Sequence, residues 1–139
     1  MYKNSHSRTK NIELDVHITD KFTDTSLSLT EISVILNNLI NNAIEFTENL
    51  PEENRYIYIE IIGDEDNIYI DICNENNNQP IKDMTVLFNK GFSTKPNSLD
   101  SRGFGLYNVK NIIEKHRGII TVESDSHETS FKITLPKKF

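Results

Sequence analysis

The hydrophobic positions change period several times along the chain, and each change marks an element. Ile12, Leu14, Val16 and Ile18 alternate with Glu13, Asp15 and His17, the period-two pattern of a strand with one buried face. Ser28 and Glu31 have capping-box spacing, and Ile32, Ile35, Leu36, Leu39, Ile40, Ala43 and Ile44 then recur at helical intervals to about Glu48. Pro51 closes that helix. Residues 56–62 and 68–73 alternate around Gly63-Asp64-Glu65-Asp66-Asn67, which predicts an antiparallel hairpin with isoleucines 57, 59, 61, 68, 70 and 72 on its inner face. After a turn-rich break at 74–80 come a short helix over 82–88 and an irregular stretch over 89–102. Leu106, Val109, Ile112, Ile113 and His116 predict a second amphipathic helix ended by Gly118, and residues 119–123 and 129–135 a last hairpin. Two hairpins in this order fit an α/β (α+β) two-layer sandwich better than a doubly wound parallel sheet. The expectation is a mixed, largely antiparallel sheet of about five strands, covered on one face by about three helices.

Residues 1–10 are polar and without periodicity, so they read as a disordered lead-in or the remnant of a truncation, with one domain over 11–139. At 36% apolar and 26% charged, the 139 residues suit a single globular core, and their apolar runs are too short for a transmembrane helix. The lone Cys73 has no internal disulfide partner and reads as a small buried hydrophobe in a reducing compartment. His6, His17, His116 and His127 share no ligand-like spacing. A net charge of −6 argues against nucleic acid as a partner, since phosphate contacts need clustered cations. The charge is uneven, however: Lys90, Lys95, Arg102 and Lys110 face Asp100 alone within 90–110, which suits a small anionic ligand.

Two stretches carry candidate chemistry. Asn38, Asn42 and Glu45 lie within about 60° of one another around the first helix and border its apolar stripe. Asparagine competes for backbone hydrogen bonds, so Asn37, Asn38, Asn41 and Asn42 weaken the helix unless a site uses some of them. The second stretch, Arg102-Gly103-Phe104-Gly105-Leu106, runs into a helix; glycines before a helix N-terminus let backbone amides approach a phosphate closely. Asn108 stands where a dinucleotide fingerprint has its third glycine, and no Walker-type loop occurs.

Taken together these segments resemble a known family. Asn38-Leu39-Ile40-Asn41-Asn42-Ala43-Ile44-Glu45-Phe46 resembles the N box of the GHKL (Bergerat-fold) ATP-binding superfamily, and Arg102-Gly103-Phe104-Gly105-Leu106-Tyr107-Asn108-Val109 resembles its second glycine box. Asn89-Lys90-Gly91-Phe92-Ser93-Thr94-Lys95 is similar to the ATP lid of sensor histidine kinases, and residues 114–120 and 131–136 are similar to the closing hairpin of their catalytic domain. The first glycine box, D-x-G-x-G in the family, is replaced: Asn74, Asn76 and Asn78 stand at its Asp and two Gly positions, a variation similar to the peptide-pheromone-sensing branch. Asparagine enters positive φ more readily than other non-glycine residues, and its amide oxygen accepts from an adenine amino group.

The resemblance implies ATP and Mg²⁺ as cofactors. It places Asn42 on the metal, Asn38 on phosphate or metal-bound water, and Asn74, Asn76 and Asn78 at the adenine end. Ser93, Thr94 and Lys95 fall in the lid, Arg102, Gly103, Gly105 and Leu106 in the phosphate cradle, and Lys110 is a further candidate charge partner. Hydrolytic members have a general-base Glu where Asn38 stands; an amide takes no proton, so the resemblance implies transfer to a histidine rather than hydrolysis. The implied whole is a cytoplasmic domain of a membrane-bound homodimer, whose phosphoacceptor His lies on an upstream dimerisation helix and whose phosphoryl group passes on to a response regulator. Two alternatives stand beside it: an anti-sigma serine kinase of the same superfamily, and a degenerate module that keeps the fold without nucleotide.

Overall fold

A computed structural model describes residues 5–9, 11–77, 80, 87–88 and 105–138, with backbone alone for 5–9. Strands β1 (Ser5–Thr9), β2 (Ile12–Ile18), β3 (Tyr56–Gly63), β4 (Asn67–Glu75), β5 (Ile119–Ser124) and β6 (Glu128–Pro136) form one sheet in the order β1-β2-β3-β4-β6-β5. Only β2 and β3 run parallel, joined across the sheet by α1 (Leu29–Glu48); every other neighbour pair is antiparallel. A second helix, α2 (Gly105–Lys115), precedes β5 and packs on α1. The alternation read from the sequence sets the layers. Ile57, Ile59 and Ile61 of β3, Ile68, Ile70 and Ile72 of β4, and Phe131, Ile133 and Leu135 of β6 are buried with Ile35, Leu39 and Ala43 of α1 and Val109 and Ile113 of α2. Among the described residues no helix is long and apolar enough to cross a membrane.

Two details differ from the sequence expectation. Ser5–Thr9, expected to be disordered, pairs antiparallel with β2, Ser5 opposite Val16 and Thr9 opposite Ile12, which makes a sixth strand. Backbone pairing to an edge requires no apolar alternation, so a polar segment gives no period to detect. Two α-helices and a short 3-10 turn at Glu52–Asn54 stand among the described residues where about three helices were expected; the stretch 82–88 lies mostly outside those residues.

The capping box at Ser28 forms as its spacing requires: Ser28 Oγ accepts from the Glu31 amide at 3.1 Å, and Glu31 Oε1 accepts from the Ser28 amide at 2.9 Å. Glu31 does more than cap. Its carboxylate also reaches Lys115 at 2.7 Å and His116 Nε2 at 3.0 Å, tying the start of α1 to the end of α2. The Lys115 ammonium first, then the Ser28 amide and His116, hold the Glu31 carboxyl down at about 2. A lowered folded-state pKa gives stability that is present above the ordinary value of 4.5 and lost as pH falls toward about 2. The urea midpoint of the wild type is therefore expected to fall between pH 5 and pH 2.5 by more than that of Glu31→Gln, which has no proton to gain; equal falls would show that the contact carries no pH-dependent stability.

Gly118 closes that same end of α2. A β-carbon there would fall 2.7 Å from the Thr134 carbonyl oxygen, 2.8 Å from Leu135 Cδ2 and 2.9 Å from Ile113 Cγ2, so only glycine lets the chain pass from helix to β5 this close to β6.

Candidate functional site

The apolar stripe of α1 turns Leu39 and Ala43 into the core, which leaves Asn38 and Asn42 half-buried along the border of that stripe. Asn38 donates its amide Nδ2 to the Val34 carbonyl at 2.7 Å, within its own helix. This fixes the amide plane and turns Oδ1 toward the first residue of α2. A β-carbon at Gly105 would meet that oxygen at 2.6 Å and Asn38 Cγ at 3.3 Å. The N box and the second glycine box, far apart in sequence, thus meet side chain to backbone. Leu106, next to Gly105, packs against the core and anchors the start of α2.

Asn74 lies at the end of β4 in register with Ile57 of β3 and Thr129 of β6. It continues the inward-facing series Ile68, Ile70, Ile72 and is only 3% exposed, on the sheet face that α1 covers. Its Nδ2 donates to the Glu75 carbonyl at 2.9 Å, which points the amide oxygen the other way. Asn76 is bound to the last hairpin. Its Nδ2 donates to the Asp125 carbonyl at 2.6 Å and to Thr129 Oγ1 at 3.3 Å, and its backbone amide donates to the His127 carbonyl at 2.9 Å. Among the described residues of this turn the left-handed backbone occurs at Asn77, φ 50°, next to the Asn76 amide that is anchored in the sheet. No sequence signal marked the Asn76 tie, which spans about fifty residues and has no period.

Asn78, Ser93, Thr94, Lys95, Arg102 and Gly103 lie outside the described residues. Lys110 places Nζ 5.6 Å from the centre of the Phe88 ring and 3.9 Å from Glu114, on the outer side of α2. Phe88 in turn packs edge-on against Phe131, with ring centres 6.4 Å apart.

The residues present fit a magnesium nucleotide. Gly105 keeps the backbone at the start of α2 bare of side chain, where helix amides suit an anion. Among the described residues no group of three or more His, Cys, Asp or Glu could cage a metal. Mg²⁺ needs no such cage: it keeps several waters and binds through one or two protein oxygens together with phosphates, which an amide oxygen such as that of Asn42 supplies. None of the amides of Asn38, Asn42, Asn74 and Asn76 can take up a proton as a general base does. Cys73, beside Asn74, takes no part; burial pushes its thiol up to about 12.

The family model for the GHKL domain matches residues 27–136. A probable C4-dicarboxylate sensor kinase of Bacillus subtilis is 41% identical over 113 residues, covering 78% of this chain and 20% of that protein. Another from Halalkalibacterium halodurans is 31% identical over 141 residues, covering 98% of this chain and 26% of that protein. The chain thus spans about a quarter or less of the length of these relatives. Among solved structures, the nucleotide-free catalytic domain of histidine kinase ThkA superposes with a TM-score of 0.73 at 28% identity, covering 93% of this chain and 81% of that one. The mycobacterial sensor histidine kinase MprB shares the fold, with a TM-score of 0.74 at 21% identity.

Proposed function

The chain belongs to the GHKL domain family, and on that premise we propose that it is the ATP-binding catalytic domain of a two-component sensor histidine kinase. The observation that carries this reading is the contact of the Asn38 amide with Gly105, which sets the N box against the glycine-rich helix start. Bound Mg-ATP supplies the γ-phosphoryl group. Asn42 holds the metal through its amide oxygen, Asn38 orients the phosphate end, and Asn74 accepts from the adenine amino group. The amides opening α2, with Gly103 and Gly105, cradle the phosphates, and Lys95 and Arg102 neutralise their charge. Asn76 positions this wall by binding the β5–β6 turn, and Asn78, Ser93, Thr94 and Leu106 complete the surroundings of the nucleotide.

The acceptor is a histidine on a dimerisation helix outside these residues, and a response regulator takes the phosphoryl group from it. The homodimer, and any attachment to a membrane, belong to those other segments. His116 is unsuited to be the acceptor, since Ser26 holds its Nδ1 at 2.7 Å and Glu31 its Nε2 at 3.0 Å. Phosphoryl transfer depends chiefly on positioning and electrostatics, and positioning is what the acceptor helix supplies.

Calorimetric titration tests the reading. Mg-ATP is expected to bind saturably and to lose affinity when EDTA removes the metal. Asn42→Ala, a better helix former, is expected to keep the wild-type Tm and to weaken Mg-ATP binding about tenfold or more, about 1.4 kcal/mol. Wild-type affinity in Asn42→Ala would take that residue out of the site, and no binding at all would reduce the chain to a nucleotide-free relative.

A further inference from the structure

One helix length from Gly105, the turn after α2 and the chain leaving β6 border an open cavity of about 270 Å³. Among the described residues its wall carries Ser26, Lys115, His116, Arg117, Lys137 and Lys138, and no side-chain carboxylate. In a chain of net charge −6, five basic side chains around one small concavity are a pronounced local excess. The carboxylates that answer them stand behind the wall. Glu31 takes Lys115 and His116, and Asp20 takes Lys137 at 3.1 Å, with the Lys137 and Asp20 side chains only 14% and 13% exposed. Those pairs brace the wall. Arg117 and Lys138 are exposed and form no ion pair among the described residues, so two cations are left over for a ligand.

The backbone adds a second observation. Arg117 holds φ 65°, a left-handed conformation that glycine adopts at lower cost, and an arginine occupies it nonetheless. The negative end of the α2 dipole, which would repel an anion, is partly answered within the turn: the Arg117 amide donates to the Glu114 carbonyl at 3.0 Å and the Gly118 amide to the Ile113 carbonyl at 2.8 Å.

We propose that this cavity binds a phosphate group, separately from the nucleotide end of α2. An arginine fork and lysine point charges arriving from two chain segments suit a tetrahedral anion with several oxygens better than a flat carboxylate. The volume lies just below the range of small-ligand pockets, enough for a phosphate group and short of a whole nucleotide. The group comes either free in solution or on a lipid headgroup. Ile119, 63% exposed two residues beyond Arg117, is the apolar neighbour a lipid surface would use.

The test is an amide chemical-shift titration of the 139-residue chain with inorganic phosphate, set against chloride at equal ionic strength. The expected result is saturable shifts at residues 115–118 and 137–138 with phosphate only. Shifts confined to residues 105 and 106 would report the other end of α2 and would overturn this site. In Arg117→Gly/Lys138→Gln the dissociation constant is expected to rise about fivefold or more, with the Tm unchanged or raised because glycine relieves the backbone. Lys138→Gln alone serves as the readout if the double variant is unstable, and Lys132→Gln on the open sheet face is expected to bind as wild type. In the second arm the chain is sedimented with phosphatidylcholine vesicles, with and without phosphatidic acid. Binding that needs phosphatidic acid and is lost in the double variant assigns the group to lipid; saturable shifts with free phosphate and no sedimentation assign it to solution. The proposal fails if neither arm gives binding that the double variant weakens, or if chloride shifts the same amides equally.

Discussion

Gly105→Ala is expected to destabilise the chain by about 1–3 kcal/mol, the usual cost of forcing an added methyl into a packed contact, and to lower its Tm by about 3–10 °C. The methyl would fall 2.6 Å from Asn38 Oδ1, and Asn38 has little room to yield, because its Nδ2 is tied to the Val34 carbonyl at 2.7 Å. Either that hydrogen bond breaks or α2 moves off α1. Removing the obstacle should undo most of the damage: Asn38→Ala/Gly105→Ala is expected to be more stable than Gly105→Ala alone, with a coupling of about 1 kcal/mol or more in the double-mutant cycle. Nucleotide binding should not return with stability, since the double variant lacks the amide proposed to orient the phosphates. Urea denaturation of the four proteins checks the first part and a Mg-ATP titration the second. Additive effects on stability would mean that Asn38 and Gly105 do not touch, and the proposed junction of the two motifs would go with them.

That contact also shows where sequence reasoning reaches and where it stops. Local signals survive into the fold with little change: the Ser28 and Glu31 spacing becomes a formed capping box, and alternating isoleucines become the inner faces of β3 and β4. Those patterns work because one buried face imposes a period on neighbouring residues. The resemblance placed Asn38 and Gly105 in one site, yet nothing local said that the amide oxygen of one lies against the backbone of the other. Glu31 makes the same point. Its cap was legible three residues away, whereas its bonds to Lys115 and His116 join residues with no periodic relation. Ser5–Thr9 escaped because pairing at a sheet edge uses the backbone alone. The turn after β4 was read by analogy with a glycine motif, and among the described residues Asn76 is anchored to the neighbouring hairpin while the left-handed backbone falls on Asn77.

Asn74→Leu is expected to weaken ATP binding about tenfold or more, about 1.4 kcal/mol, while Asn74→Asp preserves or strengthens it. The orientation of the Asn74 amide decides this. Nδ2 is committed to the Glu75 carbonyl at 2.9 Å, so the oxygen is the end left to accept from an adenine amino group, and at 3% exposure water competes poorly for it. Leucine has similar size but no acceptor, and an adenine amino group buried against it would lose its partner, at a cost of about 1–3 kcal/mol. Aspartate keeps the acceptor and adds charge, which raises a hydrogen bond from about 1 to about 1.5–3 kcal/mol, less the cost of setting a carboxylate beside the Glu75 carbonyl where the amide now donates. The same orientation disfavours guanine. A guanine carbonyl at that place needs a donor, and the Asn74 Nδ2 that would supply it is turned toward the Glu75 carbonyl and already gives one of its two hydrogens there, so GTP is expected to bind at least about tenfold more weakly than ATP. Because leucine also breaks the bond to Glu75, the Tm of each variant is measured beside its affinity, and Asn74→Asp separates the two effects by losing that bond while keeping the acceptor. Tight ATP binding by a folded Asn74→Leu, or equal affinity of the wild type for ATP and GTP, would mean that the base is read elsewhere. Residues 74–78 would then have no claim to the place of the first glycine box.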